Sequence, residues 1–237
     1  MDKLIKNKYI WIFATFLLIF EILPPGINLL LYLLGVGKTE AIPFRDYHID
    51  NPMLVVVLNV LHQLIILGFI GFLYYKTSLF QWRKPNFRGK DFLYATFVFL
   101  GGKVGTIIGA VIIGLLLGLN IEENPANQRG LDKFILTSYL SIIHIIILAP
   151  IIEEFFFRKI LIGHIFFKHK YMGLLISSLS FGAMHMFAGF TVLGMILYSC
   201  LGFFLGLVYI KTNRLETPIL AHSFNNLISY LMVLITR

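Results

Sequence analysis

The chain has 237 residues, 58% of them hydrophobic and 14% charged, where soluble domains carry about 25% charged residues. This excludes an ordinary soluble globular domain and places the chain in a membrane. The formal net charge of +8 does not point to nucleic acid, because Lys and Arg flank apolar runs and no basic stripe carries them. Cys200, the only cysteine, lies inside an apolar run, so an intramolecular disulfide is excluded.

Hydropathy predicts an all-α, polytopic transmembrane helix bundle with seven spans, near 9–36, 53–75, 91–119, 132–167, 171–188, 191–210 and 216–235. About twenty apolar residues cross the hydrocarbon. With the N-terminus inside, fourteen Lys and Arg residues fall on the inner side and five (Lys38, Arg45, Arg129, Lys133 and Arg237) on the outer. That bias predicts a cytoplasmic N-terminus.

Span 1 carries Glu21 just before Pro24 and Pro25, which predict a break in the helix. Span 3 carries Lys103 among glycines. Both charges lie about 18 Å from the inner surface at 1.5 Å per residue, which predicts a Glu21–Lys103 pair.

Span 4 contains "APIIEEFFFR", with Glu153 and Glu154 at membrane depth. Intramembrane carboxylates cost roughly 2.5–3.5 kcal/mol each on insertion scales and usually serve a function. Spacing i, i+4 lets Glu154 pair with Arg158 while Glu153 points elsewhere. The span would be about 54 Å long as one helix, so residues beyond about 160 are expected at the inner interface. A hairpin turning at residues 168–170 then brings His185, in "FGAMH", level with Glu153. In span 7, "TPILAHSFNN", Thr217 and Pro218 read as N-cap and first helical residue. His222 and Asn226 share a face at about the same depth as Glu153.

Each element also has a plain structural reading: a buried ion pair, a helix–helix hydrogen bond, a polar contact. Together they describe peptide-bond hydrolysis without a nucleophilic side chain. Glu153 would take a proton from water with help from His185. His222 and Asn226 would donate hydrogen bonds to an oxyanion. The other histidines fit weaker roles: His48 and His169 in loops, His164 near the interface, His62 and His144 in packing or hydrogen bonding.

The order EExxxR, FxxxH, HxxxN, present as "EEFFFR", "FGAMH" and "HSFNN", resembles the CAAX-protease and bacteriocin-processing (CPBP, or Abi) family, which includes the Ras-converting prenyl endopeptidases. The resemblance covers about 134–232. It divides the chain into residues 1–130, without a recognised motif, and a catalytic helical core at 131–237. It implies an intramembrane glutamate-type endopeptidase with Glu153 as general base assisted by His185, His222 and Asn226 as oxyanion hole, and Glu154 with Arg158 in support. No cofactor is expected; zinc is the alternative, which the missing HExxH motif disfavours. The expected partners are membrane lipid, a small peptide or leader-peptide substrate and potentially membrane partner proteins, with no nucleic acid. The expected location is the cell membrane of a bacterium, with the active site near the cytoplasmic face. The competing readings are a non-enzymatic immunity factor or sensor-kinase partner, and a small transporter. Transporters often show inverted repeats, which this sequence lacks.

Overall fold

The computed structural model describes residues 8–36, 47, 49, 52–76, 86–118, 141–187 and 189–235. Among these residues there is no strand, and seven helices follow in chain order. They are α1 (Lys8–Leu33), α2 (Pro52–Lys76), α3 (Gly89–Leu117), α4, α5 (Lys170–Met184), α6 (Val192–Thr212) and α7 (Glu216–Ile235). Helix α4 is one run over residues 141–165 that alternates α and π winding: Ser141–Ile143, a π turn at His144–Leu148, α at Ala149–Glu154, then π at Phe155–Ile165. The all-α bundle is therefore as expected. By length and composition, α1, α3, α6 and α7 can each cross a membrane. Helix α3 exposes Leu93, Ile107, Leu115 and Leu116, a surface suited to lipid rather than water. His48 and all five outer basic residues lie outside the described residues.

Two compact units are present: residues 1–10 with 84–237, and residues 11–83. In the smaller unit, α1 does not break at its prolines. A π turn at Leu18–Ile22 carries the helix through Pro24 and Pro25, because the hydrogen bond that proline removes is replaced from α2. His62 Nε2 meets the Ile19 carbonyl at 3.0 Å, the hydrogen-bonding role expected of His62. Glu21 and Lys103 belong to different units; within its own helix, the Lys103 ammonium lies 5.7 Å from the Phe99 ring centre.

The larger unit is built on close helix approach. Gly101, Gly105 and Gly109 of α3 face Phe204, Cys200 and Ile196 of α6, both series at i, i+4, i+8. A Cβ added at these glycines would lie 2.6, 3.4 and 2.8 Å from those side chains. Small residues at this spacing let helices pack in lipid, where no hydrophobic force drives them together. Helices α5 and α6 run antiparallel in the same manner. A Cβ at Gly202 would stand 3.3 Å from Ser178 Cα, and one at Gly182 would stand 3.1 Å from the Met195 carbonyl oxygen.

At the start of α3, Asp91 is fully buried and saturated with donors. It accepts from the Arg88 N–H at 2.7 Å, from Arg214 Nη1 at 3.0 and 3.2 Å, and from the Thr217 hydroxyl at 3.0 Å. Arg214 also donates to the Asn86 carbonyl. The chain reaches this clamp through Asn213, whose left-handed φ of 50° asparagine tolerates. Helix α7 begins at Glu216, so Thr217 is not its N-cap and Pro218 not its first residue. The Thr217 hydroxyl donates to the Asp91 carboxylate, a charge-assisted bond, rather than capping the helix by accepting from a backbone N–H. Asp91→Ala strands these donors and should cost about 3 kcal/mol, the lower end for breaking a buried pair. A melt of the detergent-solubilised protein should show it as a drop of roughly 6–12 °C.

Candidate active site

Helix α4 presents Glu153, Glu154 and Arg158, all buried among Phe155, Phe156 and Phe157. The expected i, i+4 pair is present: Arg158 Nε lies 2.9 Å from Glu154 Oε2, both side chains fully buried. The guanidinium is held further by Ser177 of α5. Arg158 Nη1 donates to Ser177 Oγ at 3.3 Å, and that hydroxyl donates to the Phe157 carbonyl at 3.0 Å. The Phe181 ring centre lies 5.0 Å from the guanidinium carbon.

Helix α7 brings His222 between the two glutamates. Its Nδ1 lies 2.9 Å from Glu154 Oε1, and its Nε2 lies 4.0 Å from Glu153 Oε2. An ionised carboxylate only accepts, so Nδ1 carries a proton and Nε2 is the atom facing Glu153. Glu154 thus serves two cations or donors at once, Arg158 with one oxygen and His222 with the other. Glu153 Oε2 is also buried and, at 4.0 Å from His222 Nε2, makes no hydrogen bond. A buried carboxylate oxygen that makes no hydrogen bond is costly.

His185 ends α5 and joins the cluster through Phe181, whose ring centre lies 4.7 Å from that of His185 and 5.7 Å from that of His222. Its Nδ1 meets the Phe181 carbonyl at 2.8 Å. A carbonyl only accepts, so Nδ1 is the donor and Nε2 is the ring nitrogen that can accept a hydrogen bond. The imidazole also stacks on Tyr198 of α6, with centroids 3.9 Å apart and planes at 17°. Asn226, one turn beyond His222, donates from Nδ2 to the Ile145 carbonyl of α4 at 2.9 Å.

The structure therefore brings Glu153, Glu154, Arg158 and His222 into one cluster, reaches His185 through Phe181, and attaches Asn226 to the backbone of α4. Ser177 and Tyr198 escaped the sequence reading. Ser177 had a signal, because Ser177, Phe181 and His185 stand at i, i+4, i+8 on one face of α5. Tyr198 had none, as it looks like any tyrosine in an apolar helix. Among the other histidines, His164 stacks on Tyr9 with centroids 4.5 Å apart, and His169 is exposed in the turn between α4 and α5.

A multi-pass helical protein with carboxylates and imidazoles gathered among its helices has the build of a membrane peptidase. The comparison with known proteins agrees. Residues 135–228 match the family described as type II CAAX prenyl endopeptidase Rce1-like. UPF0177 protein YbdI of Lactococcus lactis is 32% identical over 124 residues, covering 52% of this chain and 67% of that protein. A Bacillus subtilis protein named "Putative membrane peptidase YdiL" is 36% identical over 115 residues, 48% of this chain and 46% of its own. An uncharacterised Mycoplasma capricolum protein is 31% identical over 136 residues, 54% of this chain and 39% of that one. The chain thus spans two thirds of the first relative and less than half of the other two. No solved structure matches. The chain belongs to the CPBP (Abi) family, the group of membrane peptidases that includes the Rce1-like CAAX prenyl endopeptidases.

Proposed function

We propose that this protein is an intramembrane endopeptidase of the glutamate type, cleaving a small membrane-associated peptide or leader. The observation that carries the reading is Glu153: a buried carboxylate whose Oε2 makes no hydrogen bond and lies 4.0 Å from the Nε2 of a histidine that Glu154 holds in place. Glu153 takes a proton from the attacking water, and His185 orients that water through Nε2. The carbonyl oxygen of the scissile bond becomes an oxyanion, which accepts hydrogen bonds from Asn226 and from His222. His222 donates there through Nε2 when both ring nitrogens carry protons. Glu153 then returns its proton to the leaving amine. Residues 131–237 form the catalytic core, and α3 supports it, since Asp91 ties α3 to the start of α7. The charge pattern supports a site near the cytoplasmic face.

This chemistry uses no metal. Glu154 has both oxygens committed, to Arg158 and to His222. The test is cleavage of membrane-associated peptides by purified protein, beside Glu153→Ala, with and without chelator. The expected result is cleavage by the unaltered protein, none by the variant, and full activity in chelator. Stoichiometric zinc, with activity lost to chelator and restored by zinc, would overturn the glutamate mechanism. A variant as active as the parent would overturn the protease reading itself.

A further inference from the structure

The five-residue π turns of α1 and α4 end in the same way. In α4 the Ala149 N–H bonds the His144 carbonyl, five residues back. The Ile145 carbonyl then has two helical donors to draw on: residue 149 in α winding, already committed, or residue 150 in π winding. Residue 150 is proline and has no N–H. Ile145 is buried, so its carbonyl needs a partner from elsewhere. The partner is Asn226 Nδ2, at 2.9 Å. In α1 the Leu23 N–H bonds the Leu18 carbonyl, Pro24 lacks the next donor, and the Ile19 carbonyl is met by His62 Nε2. The π turn with proline thus offers one main-chain carbonyl to a side chain of another helix, in two places that share no motif.

We infer that Pro150 is a positioning residue for Asn226. By withholding its N–H it leaves the Ile145 carbonyl to hold one hydrogen of the Asn226 amide. The second hydrogen remains for a developing oxyanion. Removing an oxyanion donor typically costs 10²–10³-fold in kcat, and its value depends on being held in place before the charge forms. This role rests on the proposed protease chemistry, while the hydrogen-bond exchange beneath it does not.

The experiment compares four full-length proteins in detergent: unaltered, Pro150→Ala, Asn226→Ala and the double variant. Asn226→Ala should lower Tm by about 5 °C, because the buried Ile145 carbonyl loses its partner. In the Pro150→Ala background the new main-chain N–H serves that carbonyl, and Asn226→Ala should change Tm by less than about 2 °C. In peptide cleavage, Pro150→Ala should lower kcat on the order of 10²-fold with KM unchanged and Tm not lowered. It should cost nothing further once Asn226 is already alanine. Equal Tm losses in both backgrounds, equal kcat losses in both backgrounds, or a Pro150→Ala chain that does not fold would each overturn the inference. If the unaltered protein cleaves no peptide, the protease reading falls while the melts still decide the Pro150–Asn226 relation.

Discussion

Glu153→Gln is expected to reduce peptide cleavage by about 10²–10⁴-fold, the range for removing a general base, while leaving the fold intact. The amide has nearly the shape of the carboxylate, so the packing around Phe155, Phe156 and Phe157 is kept. No ion pair tighter than the 4.0 Å approach of His222 is lost. The substitution also removes a buried ionisable group whose Oε2 has no hydrogen-bond partner, so the melting temperature should hold or rise. An amide cannot accept the water proton, and activity should not return at any pH. Cleavage rate and melting curve on the same preparation check both halves. A rate equal to that of the unaltered protein would remove Glu153 from the chemistry.

Glu154→Gln should behave in the opposite way, losing stability first. Arg158 is fully buried, and its charge is balanced at 2.9 Å by Glu154. Breaking one side of a buried pair costs about 3–5 kcal/mol, which for a chain of this size lowers Tm by roughly 6–20 °C. Activity should also fall, because an amide oxygen holds the His222 Nδ1–H less firmly than the Glu154 carboxylate does. The double variant Glu154→Leu with Arg158→Met separates the two effects. Replacing both partners of a buried pair with apolar residues is often neutral or stabilising, so Tm should recover. Cleavage should not recover, because leucine offers His222 Nδ1 no acceptor at all. Recovery of both would mean that Glu154 acts only through the ion pair.

Much of this was legible in advance, for simple physical reasons. The helix limits followed from the number of apolar residues that a bilayer demands, and the structure moves the described ends by only a few residues. The Glu154–Arg158 pair followed from i, i+4 geometry within one helix. The similar level expected for His222 and Glu153 came from counting residues inward from the loops, because rise per residue sets position along a helix.

Rotation about the helix axes was not legible. These helices are apolar on nearly every side, so hydropathy names no inward face, and a motif residue can point at any neighbour. The π turns deepen the problem, since one extra residue rotates everything after it by about 100°. That is why His222 turned out to be held by Glu154, why Asn226 met a backbone carbonyl, and why Thr217 turned to Asp91 rather than to its own helix. The sequence by itself determined where the described helices fall along the chain and which pairs form within one helix. Only the tertiary structure decided which groups face each other across helices, because that depends on winding and close packing at glycines, which hydropathy does not encode.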